Sequence, residues 1–217
     1  MIRKIRKAAV LGSGIMGGGI AALLASAGVR VTLLDIVPLN LSAADKKDPA
    51  SRNKIVKAGL DTVMSASPAL MMHPNDDDRN SIGKLDDDFD AIAECDWIIE
   101  VVVENLKIKQ ELLRRIEPLR KQTAIVSTNT SGIPLKAMSA GLGQDFKQHF
   151  LGTHFFNPVR YMRLLEIIAG EETSSDVLNF MADYGERILG KGIVWAKDGQ
   201  PYRRRTILNS VSIPSSQ

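Results

Sequence analysis

A glycine-rich stretch between two apolar runs limits the possible fold of this chain more than any other part of its sequence. The segment "KAAVLGSGIMGGGIAALLASAGVRVTLLD" covers residues 7–35. Its first apolar run predicts a buried strand over residues 7–12, and the glycines open a predicted helix over residues 15–27 that stops at Gly28. The run "RVTLLD" predicts a second strand that ends at Asp35. A glycine turn between a strand and a helix, followed by a strand with a terminal acid, is the context in which G-x-G-x-x-G binds a dinucleotide.

Each position of "GSGIMG" has a physical reason to take part in such binding. Gly12 permits a tight turn, Gly14 lets the backbone approach a pyrophosphate, and Gly17 lets the helix pack closely on the strand. The helix begins at Ile15 and Met16, where unpaired N–H groups and the positive end of the helix dipole face the phosphates. We therefore predict that these five residues bind the cofactor.

Asp35 lies eighteen residues after Gly17 and is the acidic member of this pattern. A carboxylate at that position accepts hydrogen bonds from the ribose hydroxyls of adenosine and repels a 2′-phosphate. The sequence therefore predicts NAD as the cofactor in preference to NADP. The alternative is a glycine-rich turn that packs a helix on a sheet and binds no ligand.

Strands alternate with helices along the rest of the chain, which predicts an α/β fold of the Rossmann type with a doubly wound, mostly parallel sheet. Further strands are predicted over residues 95–104, 123–132, 150–158, 163–170 and 192–197, with helices over residues 105–119 and 174–189. Residues 40–74 show helical spacing on either side of Pro49. This segment predicts an inserted helical hairpin that stands off the sheet.

Length and composition predict one domain with an appendage. The chain has 217 residues, of which 44% are hydrophobic, so it can bury a sizeable core. We assign residues 1–198 to a NAD-binding domain. Residues 199–217, "GQPYRRRTILNSVSIPSSQ", combine consecutive arginines, prolines and a serine-rich end without a sustained apolar period. That composition predicts a poorly ordered tail.

Charge and cysteine content narrow the function classes. The net charge is only +3 and the acidic residues cluster at 76–78 and 86–88, in predicted solvated loops, so we predict no nucleic-acid partner. The single Cys95 excludes an internal disulfide framework and predicts a small core residue in a reducing, cytoplasmic location. The basic start "MIRKIRK" resembles a signal peptide, but glycines interrupt the apolar stretch that follows. We predict no membrane span and no metal site.

Of the three histidines, one has the position of a general base. His73 and His149 lie in segments where histidine is more often a surface or packing residue. His154 ends an apolar strand in "GTHFFNPV", and the carboxyl ends of parallel strands line a cofactor crevice. A histidine there can take the proton of a substrate hydroxyl while hydride leaves for the nicotinamide. Glu166 in "RLLEIIAG" is the predicted orienting carboxylate, the alternative being a satisfied buried histidine beside a strand-edge glutamate.

The motifs together resemble the L-3-hydroxyacyl-CoA dehydrogenase family. "GSGIMGGGIA", Asp35, "VVVENLKIKQEL", "STNTSG", "GTHFFNPV" and "RLLEII" occur in the family's order and at nearly its spacing, over about residues 5–198. "HFFNP" with a glutamate twelve residues after its histidine is the most specific of them. The resemblance implies NAD-dependent oxidation of an L-3-hydroxyacyl-CoA to the 3-ketoacyl-CoA, as in fatty acid β-oxidation.

The resemblance also implies residue roles. His154 resembles the family's catalytic base and Glu166 its orienting partner, while Ser131 resembles the residue that hydrogen-bonds the 3-oxygen of the substrate. Positions that match cofactor contacts are Glu104, Lys109 and Asn157. Positions that match coenzyme A contacts, in the inserted hairpin, are Ser51, Lys54 and Lys57. For these last three a solvated basic helix face is the alternative.

The sequence departs from the family after "GIVWAKD". The family continues there with a helical domain that supplies a substrate-binding asparagine and much of a homodimer interface, and some members belong to a larger β-oxidation chain. We expect that domain to be absent here and interpret the change at Asp198 as a shift of reading frame or a truncation. Two alternatives follow: a non-catalytic NAD-binding fragment, or another NAD-dependent 3-hydroxyacid dehydrogenase.

Overall fold

The computed structural model describes residues 4–73, 78–130 and 132–199. It contains an eight-stranded sheet with the order β3-β2-β1-β4-β5-β6-β7-β8. The strands are β1 (Lys7–Leu11), β2 (Arg30–Asp35), β3 (Asn80–Lys84), β4 (Trp97–Glu100), β5 (Ile125–Thr128), β6 (Phe150–Phe155), β7 (Leu164–Ala169) and β8 (Gly192–Lys197). All neighbours pair in parallel except β6 and β7, which are antiparallel. The predicted Rossmann-type, mostly parallel sheet is confirmed.

Helices cover both faces of this sheet. They are α1 (Ile15–Ser26), α2 (Pro49–Arg52), α3 (Lys54–Met64), α4 (Leu106–Ile116), α5 (Leu135–Met138), α6 (Gln144–Gln148) and α7 (Ser175–Arg187), with 3-10 helices at Asp45–Lys47 and Phe89–Glu94. One apolar core joins α1 and α7 to the sheet, and the other joins α4, α5 and α6 to the opposite face. The central strands are apolar on both faces because both are covered.

The predicted strands and helices are present, and β3, α5 and α6 are further elements that were not predicted. Helix α1 ends just before Gly28, whose φ of 84° lies in the left-handed region that favours glycine. Strand β3 lies between the two acidic runs that were predicted as loops. Its sequence "NSIGK" has one large apolar residue, and it pairs with β2 at the edge of the sheet. Edge strands need little apolar content, so the sequence pattern gave no signal for β3.

The inserted segment is helical, but it does not stand off the sheet. Pro49 begins α2, and α3 ends at Met64, a few residues before Pro68. Val63 of α3 packs with Ala22 of α1 in a small third core. The amphipathic α3 therefore buries apolar side chains against α1. For this reason the segment packs on the domain and does not project from it.

Several expectations concern residues outside the described ranges. The tail beyond Gly199 and the acidic residues Asp76 and Asp77 belong to this group. Within the described part of the chain, no helix is both long and apolar enough to cross a bilayer.

The tight packing of α1 on β1 predicts the effect of one substitution. A Cβ added at Gly17 lies 1.8 Å from the carbonyl oxygen of Gly12, a backbone atom that cannot rotate away. We expect Gly17→Ala to lower the free energy of unfolding by about 3 kcal/mol, measured by urea denaturation. Gly192→Ala is the control, because the nearest atom to its Cβ is 3.9 Å away, and it should change stability by about 0.5 kcal/mol or less. Equal effects of the two substitutions would contradict this packing argument.

Candidate functional site

The glycine turn lies at the carboxyl edge of the sheet, between β1 and α1. Gly12 has a φ of 109°, and a Cβ there would lie 2.6 Å from the carbonyl oxygen of Val101, so glycine is required on both counts. A Cβ at Gly14 would meet no atom within 4 Å. Gly14 therefore presents open backbone at the start of α1, as a pyrophosphate requires.

A cavity of about 1010 Å³ opens beside this turn. Its lining includes Gly12, Gly14, Ile15 and Asp35, which are four of the six cofactor residues predicted from the glycine motif and its acid. Met16 does not line it and packs partly buried against the core instead. An apolar cavity of this size with a few fixed polar groups is typical of a cofactor site.

Asp35 is held at the mouth of the cavity by the glycine turn itself. One carboxylate oxygen accepts hydrogen bonds from the backbone N–H of Ser13 at 2.5 Å and from its hydroxyl at 2.6 Å. The other accepts from the backbone N–H of Ile36 at 2.7 Å. The cavity, the open backbone and the fixed carboxylate fit an adenine dinucleotide with a free ribose 2′-hydroxyl.

His154 and Glu166 face each other across β6 and β7. The antiparallel register pairs the two residues directly, and His154 Nδ1 lies 2.8 Å from Glu166 Oε2. The glutamate is buried and the histidine ring is half-buried, with the ring of Phe156 tilted against it at 4.5 Å. A carboxylate at Nδ1 accepts the Nδ1 hydrogen and so fixes the imidazole tautomer in which Nε2 carries no hydrogen and acts as the basic nitrogen.

Two further polar contacts fix the end of β6. The amide oxygen of Asn129 accepts a hydrogen bond from the backbone N–H of Phe155 at 2.8 Å. The buried Lys191 ammonium donates to the carbonyl oxygens of Val159 at 2.5 Å and Met162 at 2.8 Å, and burial lowers its pKa. These contacts hold the loop that leaves β6 and carries the exposed Asn157, the predicted cofactor contact three residues after His154.

A buried polar network joins the loops that follow β4 and β5. Glu100 and Lys109 are almost fully buried, and their charged groups lie 2.7 Å apart. Glu100 also accepts hydrogen bonds from the Val102 backbone N–H at 2.7 Å and from the Thr128 hydroxyl at 2.6 Å. The ammonium of Lys109 also donates to the Val102 carbonyl at 3.2 Å and lies at ion-pair distance, 3.4 Å, from Glu104. Lys109 is thus held by two hydrogen bonds and a second carboxylate, and a cofactor that reaches it meets a buried ammonium that is already paired.

Glu104 and its neighbours form the exposed end of this network. The carboxylate of Glu104 accepts hydrogen bonds from the Thr130 hydroxyl and, at 3.3 Å, from the backbone N–H of Gly132. Ser131, the predicted substrate contact, lies outside the described residues. In the sequence it stands between Thr130 and Gly132. Thr128 and Thr130 belong to the network, so their polar side chains do more than shape a local turn.

The predicted coenzyme A contacts lie on the insertion and apart from this network. Ser51 donates to Asp48 at 2.6 Å, next to the N-terminus of α2. Lys54 and Lys57 are exposed on α3. Their roles stay predictions.

Cys95 and His149 lie outside this arrangement. Burial raises the pKa of Cys95 to about 11, so its thiol is protonated at neutral pH. His149 Nδ1 lies 2.9 Å from the carbonyl oxygen of Asp145, one turn earlier. The roles of Glu100, Asn129 and Lys191 were not predicted from the sequence; a charged residue inside the apolar run "WIIEVVV" was the available signal for Glu100.

The buried ion pair predicts a large loss of stability on removal of one partner. Lys109→Met leaves the Glu100 carboxylate buried without a cation, and we expect the free energy of unfolding to fall by about 3–5 kcal/mol. Lys121→Met is the control, because its pair with Asp96 is partly exposed and should contribute about 1 kcal/mol or less. Urea denaturation of both variants measures the difference. A loss for Lys109→Met no larger than that of the control would contradict the network's structural role.

Comparison with known proteins places the whole arrangement in one family. The protein-family model described as 3-hydroxyacyl-CoA dehydrogenase, NAD binding domain, matches residues 7–199. A probable 3-hydroxyacyl-CoA dehydrogenase of Bacillus subtilis is 48% identical over 91% of the chain and 26% of its own length. A Deinococcus radiodurans protein of the same name is 43% identical over 90% of the chain and 54% of its own length.

One further relative and one solved structure agree with these matches. A putative fatty acid oxidation complex trifunctional enzyme of Rickettsia felis is 41% identical over 91% of the chain and 26% of its own length. The crystal structure of 3-hydroxybutyryl-CoA dehydrogenase from Escherichia coli K12 superimposes with a TM-score of 0.74 at 26% identity, over 90% of this chain and 39% of that one. The chain thus spans between about a quarter and about half the length of these curated relatives. The glycine turn and the cavity agree with the match over residues 7–199. The chain therefore belongs to the 3-hydroxyacyl-CoA dehydrogenase family, and residues 7–199 correspond to the NAD-binding domain of that family.

Proposed function

We propose that this domain carries out the NAD-dependent oxidation of an L-3-hydroxyacyl-CoA to the 3-ketoacyl-CoA, as part of fatty acid β-oxidation. The 2.8 Å contact between His154 Nδ1 and Glu166 Oε2 is the observation that carries the proposal. A glycine turn with Asp35 supports binding of a dinucleotide but specifies no reaction. A histidine oriented by a buried carboxylate at the carboxyl edge of the same sheet adds a general base.

In the proposed mechanism, His154 acts through Nε2. Glu166 accepts the Nδ1 hydrogen, so the unprotonated Nε2 is the atom that takes the proton of the substrate's 3-hydroxyl. Bound NAD supplies the hydride acceptor. As the imidazole becomes positively charged, the adjacent Glu166 carboxylate stabilises it. In the reverse direction the imidazolium returns the proton to the 3-oxygen.

Other residues position the reactants in this proposal. The amides of the glycine turn bind the pyrophosphate, and Asp35 binds the adenosine ribose. Glu104, Lys109 and Asn157 would contact the cofactor, and Ser131 would donate a hydrogen bond to the 3-oxygen. Exposed lysines Lys54 and Lys57 are candidates for the phosphates of coenzyme A, since a mobile ammonium suits a phosphate.

The relatives also suggest the setting of this reaction. One of them is named as a trifunctional enzyme of a fatty acid oxidation complex, and the chain matches about a quarter of its length. We propose that the domain works beside enzymes that supply the 3-hydroxyacyl-CoA and consume the 3-ketoacyl-CoA.

Turnover of acetoacetyl-CoA tests this function. The purified chain should oxidise NADH in its presence, followed as loss of NADH absorbance. His154→Ala should lower kcat by about 10²–10⁴-fold, the usual contribution of a general acid or base, while NADH still binds. His149→Ala is the control and should keep kcat within about twofold, because its ring packs on the protein outside the proposed base pair.

Three outcomes contradict the proposal. Equal activity of wild type and His154→Ala would remove His154 from the chemistry. NADH binding without turnover would mean that the chain is a cofactor-binding fragment. Turnover of free 3-hydroxyacids with no turnover of CoA esters would indicate another class of NAD-dependent dehydrogenase.

A further inference from the structure

The backbone of α3 touches the glycine turn of the cofactor site. Gly59 lies in the middle of α3, although glycine is among the poorest helix formers. A Cβ built on Gly59 lies 2.2 Å from the carbonyl oxygen of Ser13 and 2.7 Å from the Ser13 side chain. Only a residue without a side chain allows α3 to approach the turn this closely.

A second close contact between α3 and the start of α1 lies one turn further along α3. A Cβ on Gly18 of α1 would lie 2.6 Å from the Val63 side chain. The Ser13 hydroxyl also lies 3.4 Å from the carbonyl oxygen of Ile55, at the start of α3. Two glycines, one on each helix, thus bring α3 onto the glycine turn and the first turns of α1.

Ser13 links this helix contact to the cofactor residues. Its backbone N–H and its hydroxyl both donate to the Asp35 carboxylate. Because the first atom that a Gly59 side chain would meet is a backbone oxygen of Ser13, relief of the clash has to move either α3 or the turn itself. A displaced turn carries the Ser13 hydrogen bonds, and with them the position of Asp35.

The cavity beside the turn is lined by α3 as well. Ile55, Ala58, Gly59, Thr62 and Val63 form this part of its wall. Helix α3 therefore packs on α1 and also lines the cofactor cavity, while Lys57 of the same helix is exposed.

We propose that α3 is a wall of the NAD site and that Gly59 is a positioning residue, which holds the glycine turn and Asp35 in their binding geometry through Ser13. Gly59 acts by the absence of a side chain, which leaves room for the carbonyl group of Ser13. This inference rests on the cofactor-binding part of the proposed function and is independent of the reaction.

Gly59→Ala tests the proposal by NADH binding, measured by fluorescence titration. We expect the Kd for NADH to rise at least tenfold, because the added methyl group displaces the turn. A purely structural role would leave the Kd unchanged, and alanine in a helix without a clash would raise the unfolding temperature. Gly192→Ala is the matched glycine-to-alanine control, because the nearest atom to its Cβ is 3.9 Å away, and it should bind NADH within twofold of wild type.

The outcomes separate this inference from the proposed function. If wild type binds NADH and Gly59→Ala binds it equally well, the positioning role is overturned and the proposed function stands. If wild type fails to bind NADH, both are overturned. If Gly59→Ala does not fold, amide hydrogen exchange on wild type decides: NADH should slow exchange in α3 more than in α7, and no difference between the two helices overturns the proposal.

Discussion

The antiparallel pairing of β6 with β7 is the constraint on which the candidate catalytic site depends. Every other pair of neighbouring strands in the described sheet is parallel, and the antiparallel register of β7 on β6 places Glu166 directly beside His154. A slip of one residue in this register would turn Glu166 to the other face of the sheet. Leu165 and Ile167 flank Glu166 and are both fully buried. A slip would move their side chains to the opposite face of the sheet, so their packing opposes it.

The loops around this pair are fixed by buried polar groups instead of apolar packing alone. Glu100 ties β4 to β5 and to α4, and Lys191 ties the loop after β6 to the start of β8. Desolvation of such groups is costly, and a hydrophobic replacement of similar volume is often as stable. Their directional hydrogen bonds instead hold loop backbones that lack regular pairing, which is what a site at the end of a sheet needs.

Much of the fold and part of the candidate site could be predicted from short stretches of the sequence. The glycine turn, α1, β2 and the His154–Glu166 pair each have a signal within a short window, because their geometry depends on glycine placement or on one apolar strand. Strand β3 and the packing of α3 had none, since both depend on contacts with distant residues. The lysine at 109 showed the same limit: its position in "ENLKIK" predicted a cofactor contact, whereas its burial beside Glu100 depends on tertiary structure.

The tautomer of His154 shows whether Glu166 prepares the imidazole to act as a base. Nitrogen-15 NMR of the ligand-free domain at neutral pH reports which ring nitrogen carries the hydrogen. We expect Nδ1 to be protonated and hydrogen-bonded to Glu166, Nε2 to be unprotonated, and Glu166→Gln to change the Nδ1 signal. An imidazole protonated at Nε2 alone, or a spectrum unchanged by Glu166→Gln, would contradict the claim that Glu166 prepares His154 to act as a base.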